Sequence, residues 1–193
     1  MHREMKRLAI QTELKVLGKS AQMPHGGITG YGSYFGNVDH GGDIVMPGAF
    51  RKTLADNLGK ARIKLVDGHD TFGTDGIIGV VTEAVEDYKG LLITAKFSST
   101  ARAQNVRTKV KEGVLDALSI GYSSVRDEEN SEGNRELHEL KLYEVSIVSW
   151  PMNPETRITD SKSDTDASAI LREIKAAMIF SSIKSMTRSL RAK

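Results

Sequence analysis

Residues 111–124 read KEGVLDALSIGYSS, and the fold of the chain can be read outward from them. A basic, helix-prone run ends at Gly113, a residue type that closes helices because it adopts the left-handed conformation freely. A short apolar strand follows, with Ser119 between Leu118 and Ile120 and with Gly121 two residues on. A serine held on a strand beside a glycine serves as a nucleophile when a base reaches it. An ordinary strand serine has the same neighbours, so the rest of the chain has to decide.

Upstream, Ser98, Ser99 and Thr100 provide an N-cap for a helix running to about Glu112. Before that helix, residues 77–85 and 91–97 read as two strands of a hairpin joined by a polar turn. Residues 62–66 form a short strand that ends in Asp67-Gly68-His69-Asp70. Ala49, Phe50, Leu54 and Leu58 recur at helical spacing, with Gly59 as the stop. Residues 25–36 are a strand loosened by glycines, which suits a bulge or tight curvature, and residues 7–17 read as a first strand. Downstream of Ser119, residues 126–134 read as a polar loop and 137–148 as a long strand ending at Trp150-Pro151. Strands outnumber helices and no βαβ repeat is present, so a mainly β fold with flanking helices is expected, an antiparallel barrel or sandwich.

The 193 residues suit one domain and a tail. Residues 1–157 form the expected domain, 158–166 a polar linker, and 167–193 an amphipathic helix. That last stretch carries Arg172, Lys175, Lys184, Arg188, Arg191 and Lys193 against Glu173 alone, a balance of +5 within a chain whose net charge is +2. A basic tail on a slightly acidic body implies a separate task for the tail. Cys is absent, which excludes disulfides, a thiol nucleophile and cysteine-ligated zinc. No apolar run reaches the length of a membrane span, and MHREMKRLAI lacks the apolar centre of a secretory signal. Neither a membrane nor a nucleic acid is an expected partner.

Among the five histidines, His69 is the one presented at a strand end in a glycine-containing turn, where an imidazole can act as a base near neutral pH. A third group must orient that imidazole. Glu144 fits, because it lies in LKLYEVSIVSW, a run too apolar to carry an acid without a partner or a path to solvent. His138 is a second candidate for this role, and Asp70, next to the base in sequence, is a poor one. Asp39, His40, Asp43, Asp67, His69 and Asp70 together offer enough donors for a metal, but no HExxH, EF-hand or HxH spacing accompanies them. The glycines of residues 26–36 lack the GxxxxGK[ST] pattern of a phosphate loop. No cofactor and no metal is expected.

Four segments, in order, carry a family resemblance: GYGSYFGNVDHGGDIVMPGAF, the strand into His69-Asp70 with the IIGVV strand after it, LSIGY, and LYEVSIVSWPMNP. Over roughly residues 25–157 the chain resembles the prohead (capsid-maturation) proteases of tailed bacteriophages, which are similar to the herpesvirus assemblins. The resemblance implies an assemblin-like β-barrel surrounded by helices. It implies a serine endopeptidase with Ser119 as nucleophile, His69 as base and Glu144 as orienting acid. Assemblins carry a second histidine in the third position, so Glu144 is a departure. Further implications are the substrates: scaffolding protein or the scaffolding segment of the major capsid protein, and the protease itself. A homodimer and a location inside assembling proheads in the bacterial host cytoplasm are implied as well. On this reading the tail directs the protease into the prohead and is later removed. Two other functions fit the residues: a non-catalytic capsid-assembly or scaffold-binding module, and a metal-dependent hydrolase.

Overall fold

The computed structural model describes residues 15–17, 24–57 and 63–156. The expectations for residues 7–14, the linker beyond 156 and the helix 167–193 lie outside the described residues. Eight strands form one sheet: β1 (Lys15–Leu17), β2 (Gly27–Tyr34), β3 (Asp43–Val45), β4 (Lys64–Asp67), β5 (Ile77–Glu86), β6 (Gly90–Phe97), β7 (Ala117–Glu129) and β8 (Arg135–Val148). Two helices accompany them, α1 (Arg51–Asn57) and α2 (Ala101–Lys111), with a 3-10 turn at Pro154–Thr156.

The sheet runs β1-β2-β6-β5-β4-β8-β3, and β7 lies along β8. Most pairings are antiparallel, as the short turns between consecutive strands require. The expected hairpin is β5–β6, closed at Asp87, whose Oδ1 accepts from Lys89 N at 2.7 Å and Gly90 N at 3.1 Å. Two pairings are parallel: β3 and β4 both lie along β8. A helix or long connection separates each from β8 in the chain, which is what a parallel crossover needs. Register shifts interrupt β2, β5 and β7. Bulges of this kind add twist, and the sheet curls until β2 approaches β7. There Gly32 is tight against Ile120, since a Cβ at Gly32 would sit 3.3 Å from Ile120 Cγ2.

The core lies inside the curl. Ile28, Leu65, Ile78, Leu91, Ile93, Leu118, Leu142 and Ile147 are its fully buried side chains, with Phe50 delivered from the start of α1. Burying one such side chain contributes about 1.5–3 kcal/mol. Helix α2 is capped at Thr100 and buries Ala103, Val106 and Val110, so the Ser-Ser-Thr cap and the Gly113 stop (φ 72°) lie where the sequence implied.

The polar stretch 126–134 is not a loop. Strand β7 continues to Glu129 and β8 begins at Arg135, leaving a five-residue turn held by Asn130, whose Oδ1 accepts from Glu132 N and Asn134 N. The end of β7 is exposed on both faces. A strand segment with no buried side chain has no apolar alternation to reveal it.

Candidate active site

Three adjacent strands, β4, β8 and β7, carry the site. Antiparallel register sets Ser119 opposite Ser146 and Gly121 opposite Glu144. Cross-strand partners share a face, so these four residues form one patch. Their neighbours Leu118, Val145 and Ile147 point the other way, into the core. On the far side of β8, the parallel register of β4 sets Val66 beside Ser146 and Asp67 beside Ile147. The chain then turns at Gly68-His69, which brings the imidazole over the patch.

That turn is tight. Asp70 N donates to Asp67 O at 3.1 Å, and both central residues have positive φ, 61° at Gly68 and 61° at His69. His69 is the one non-glycine residue with positive φ among those described. Such a conformation costs of order 1 kcal/mol and persists where neighbours over-determine it. Its neighbours do so here. His69 N donates to Ser146 Oγ at 3.0 Å, and Gly68 N donates to Ile147 O at 2.9 Å. From outside, Arg102 of α2 donates to Asp67 Oδ2 at 2.8 Å and to Asp70 Oδ2 at 2.7 Å.

His69 Nδ1 and Glu144 Oε1 are 2.7 Å apart. Glu144 is 5% exposed, and its second oxygen accepts from Ser146 Oγ at 2.7 Å. A buried carboxylate with both oxygens engaged is satisfied, which answers the question its apolar strand poses. It requires the hydrogen on Nδ1 and leaves Nε2 as the basic nitrogen. The hydrogen bond to Glu144 raises the His69 pKa from its ordinary 6.5, and partial burial opposes that rise. Gly121 makes room for the acid. A Cβ there would stand 2.3 Å from Glu144 Oε1.

Ser119, 7% exposed, lines one cavity with His69. Its other walls include Gly32, Asp39, Asp43, Tyr122 and Met152. Tyr122 Oη donates to Asp43 Oδ2 at 2.8 Å, and Arg135 grips both oxygens of Asp43 at 2.8 and 2.6 Å. Arg135 holds the Asp43 carboxyl below its usual range, while burial and the Asp43 carboxylate push the Tyr122 hydroxyl up. The segment after β8 closes the rim: Asn153 and Asn37 exchange amide hydrogen bonds, and Thr156 Oγ1 donates to Leu118 O at 2.8 Å. These contacts join the two blocks of sequence, GDIVMPGAF with its preceding turn and EVSIVSWPMNP.

The other candidates are elsewhere. His138 faces Glu136 at 3.5 Å, away from the cavity. Asp70 is held by Arg102. The carboxylates considered for a metal are engaged in protein contacts: Asp39 Oδ1 accepts from Gly41 N and Asp43 N, and Asp67 pairs with Arg102. Among the described residues, no group of three or more His, Asp or Glu is placed to hold a metal ion. Gly121 and Arg126 do not line the cavity. Sequence reasoning assigned no role to Ser146 or Arg102, and did not place Gly121 against Glu144. Their signal was positional: Ser146 and Gly121 follow once β7 is paired with β8.

The mainly antiparallel curled sheet thus presents a serine and an imidazole at one cavity, with a buried carboxylate bonded to that imidazole, the residue types of a serine-peptidase triad. Residues 12–170 match the caudovirus prohead serine proteases, and the chain belongs to that family. It is similar to the prohead protease of Enterobacteria phage HK97, 28% identical over 167 residues, covering 85% of this chain and 71% of that protein. It is also similar to part of the major capsid protein of Halomonas phage phiHAP-1, 30% identical over 113 residues, which are 56% of this chain but 19% of that protein. In structure it resembles the capsid assembly protease of bacteriophage T4, with a TM-score of 0.58 at 12% identity over 72% of this chain and 93% of that one. That likeness is one of fold. Family membership makes the chain a serine peptidase of phage capsid maturation.

Proposed function

We propose that the chain is an endopeptidase in which Ser119 is the nucleophile, His69 the general base and Glu144 the acid that orients it. The observation that carries this reading is the 2.7 Å contact between His69 Nδ1 and the buried Glu144 carboxylate, on the cavity that Ser119 lines. Ser119 Oγ attacks the scissile carbonyl carbon while His69 Nε2 takes its proton. The tetrahedral intermediate collapses, His69 gives that proton to the leaving amine, and the peptide C-terminal to the cut departs. Water, deprotonated by His69, then hydrolyses the Ser119 ester and restores the enzyme. Glu144 fixes the imidazole tautomer and stabilises its cation during both steps.

The substrates are scaffolding protein or the scaffolding segment of the major capsid protein, and the protease itself, cut inside proheads assembling in the host cytoplasm. The family membership supports this, as does a relative in which the matching segment belongs to a major capsid protein. The basic stretch 167–193 directs the chain into the prohead and is removed afterwards, and the working unit is a homodimer.

Intact-mass measurements over time on wild type and Ser119→Ala, each expressed with capsid protein, test the reading. Truncation of chain and capsid protein in wild type alone is expected. Identical stable masses would instead favour a non-catalytic assembly module, and loss of cleavage with chelator but not with Ser119→Ala would favour a metal-dependent hydrolase. Deleting residues 161–193 should abolish incorporation into proheads. Unchanged incorporation removes the targeting role.

A further inference from the structure

We propose that Ser146 is a positioning residue of this centre: its hydroxyl ties the Glu144 carboxylate and the His69 backbone into one rigid unit. Ser146 is fully buried. Its oxygen accepts from His69 N at 3.0 Å and donates to Glu144 Oε2 at 2.7 Å. His69 and Glu144 are therefore linked twice, directly through Nδ1 and Oε1, and indirectly through Ser146. The closed ring of contacts fixes the carboxylate plane from its second oxygen and fixes the strained backbone from which the imidazole hangs. A direct ring–carboxylate contact alone leaves the imidazole free to pivot about it. Two anchored ends leave one orientation, with Nε2 turned to the cavity that Ser119 lines.

Register explains why this position has the role. Ser146 is the β8 residue directly opposite Ser119 on β7, and Val66 flanks it on β4. It is the point where the three strands that carry the three residues meet. A hydroxyl is the smallest group that can both accept from a backbone N–H and donate to a carboxylate. Alanine can do neither. Cysteine has nearly the same volume but is weak at both.

The inference rests on the triad proposed above, and its test separates the two. A fluorophosphonate probe reacts with an activated serine, whose oxygen displaces fluoride from phosphorus while the base takes the proton. Ser146→Ala should lower the limiting rate of labelling at Ser119 about tenfold to a hundredfold, the size of effect an ångström of misplacement has, with the half-saturating probe concentration within twofold of wild type. Ser146→Cys, which preserves packing if alanine does not fold, should lose rate in the same direction. In a Glu144→Gln background the Ser146→Ala loss should shrink, because groups acting as one unit are not additive. The downfield proton resonance of His69 Nδ1–H, recorded on Ser119→Ala protein, should broaden or move upfield when Ser146→Ala is added. Labelling rates within twofold of wild type for both Ser146 variants, or an unmoved resonance, overturn the proposal. Wild type that takes no label at Ser119 sinks the protease reading instead, and the resonance still reports on Ser146.

Discussion

At the scale of single residues, the His69–Glu144 contact has a consequence in pH. Glu144 raises the His69 pKa above its ordinary 6.5, so the neutral base forms at higher pH than in a free histidine. Glu144→Gln removes the charge that favours imidazolium. The acid limb of the labelling-rate profile should therefore move to lower pH in Glu144→Gln, while the plateau rate falls. That fall should be smaller than the loss in His69→Ala, which in turn should match Ser119→Ala. A pH–rate series on the variants checks both statements. Gly121 gives a second prediction. Alanine there places a Cβ 2.3 Å from Glu144 Oε1, so the carboxylate must leave the imidazole. Gly121→Ala should cost about a hundredfold in labelling rate and about 1–3 kcal/mol in stability by overpacking. Denaturant titration and labelling kinetics on the same preparation measure the two effects. Ser119, His69 and Glu144 were each visible in the sequence because each breaks a local rule: a polar residue in an apolar run, a histidine in a turn, an acid on a buried strand. Gly121 breaks none, and its purpose appears only with the residue facing it.

Among the elements, α2 and the β4 turn act together. Arg102 straddles Asp67 and Asp70, the residues on either side of Gly68-His69. All three side chains are a quarter or more exposed, so solvent screens these ion pairs and they add little to stability. Their value is in holding a left-handed His69. Arg102→Ala should leave the denaturation midpoint close to that of wild type, yet slow labelling several-fold. High salt should slow wild type toward the variant, since partly exposed ion pairs are screened. Rates at low and high salt for both proteins are the check. Helix α2 itself was readable from its cap and stop signals, and the β5–β6 hairpin from alternation. Two things were not. The end of β7 beyond Val125 buries no side chain that could pattern its sequence. The parallel β4–β8 pairing joins residues eighty positions apart, such as Lys64 and Glu144, and nothing local marks such a partner. That pairing is the one that brings His69 to Glu144.

For the molecule as a whole, curling closes the site by bringing the segment before β3 against the segment after β8. The Asn37–Asn153 amide pair joins those two segments at this junction, and the Arg135–Asp43–Tyr122 cluster ties the start of β3 to β7 and β8 beside it. Arg135 depresses the Asp43 pKa below 3.8 in the fold, so the unfolded chain binds that proton more readily. The stability from this pair is thus present above about pH 3.8 and is lost as pH falls through the lower folded value. Arg135→Ala should destabilise the protein by about 1–2 kcal/mol at neutral pH, less than a fully buried pair because half of Arg135 faces solvent. The gap in melting temperature between variant and wild type should narrow below pH 4. The family resemblance assigned the junction's sequence blocks to one protein class, and the structure gives them a physical reason: both contribute to the cavity wall, beside His69, Ser119 and Tyr122.

The central claim is that Ser119 is a nucleophile activated by His69. Peptide mapping of the intact chain after fluorophosphonate treatment tests it most directly. The account predicts one phosphonyl adduct, on Ser119, in wild type and its near-absence in His69→Ala. An adduct on another residue, or labelling of Ser119 that His69→Ala leaves unchanged, contradicts it.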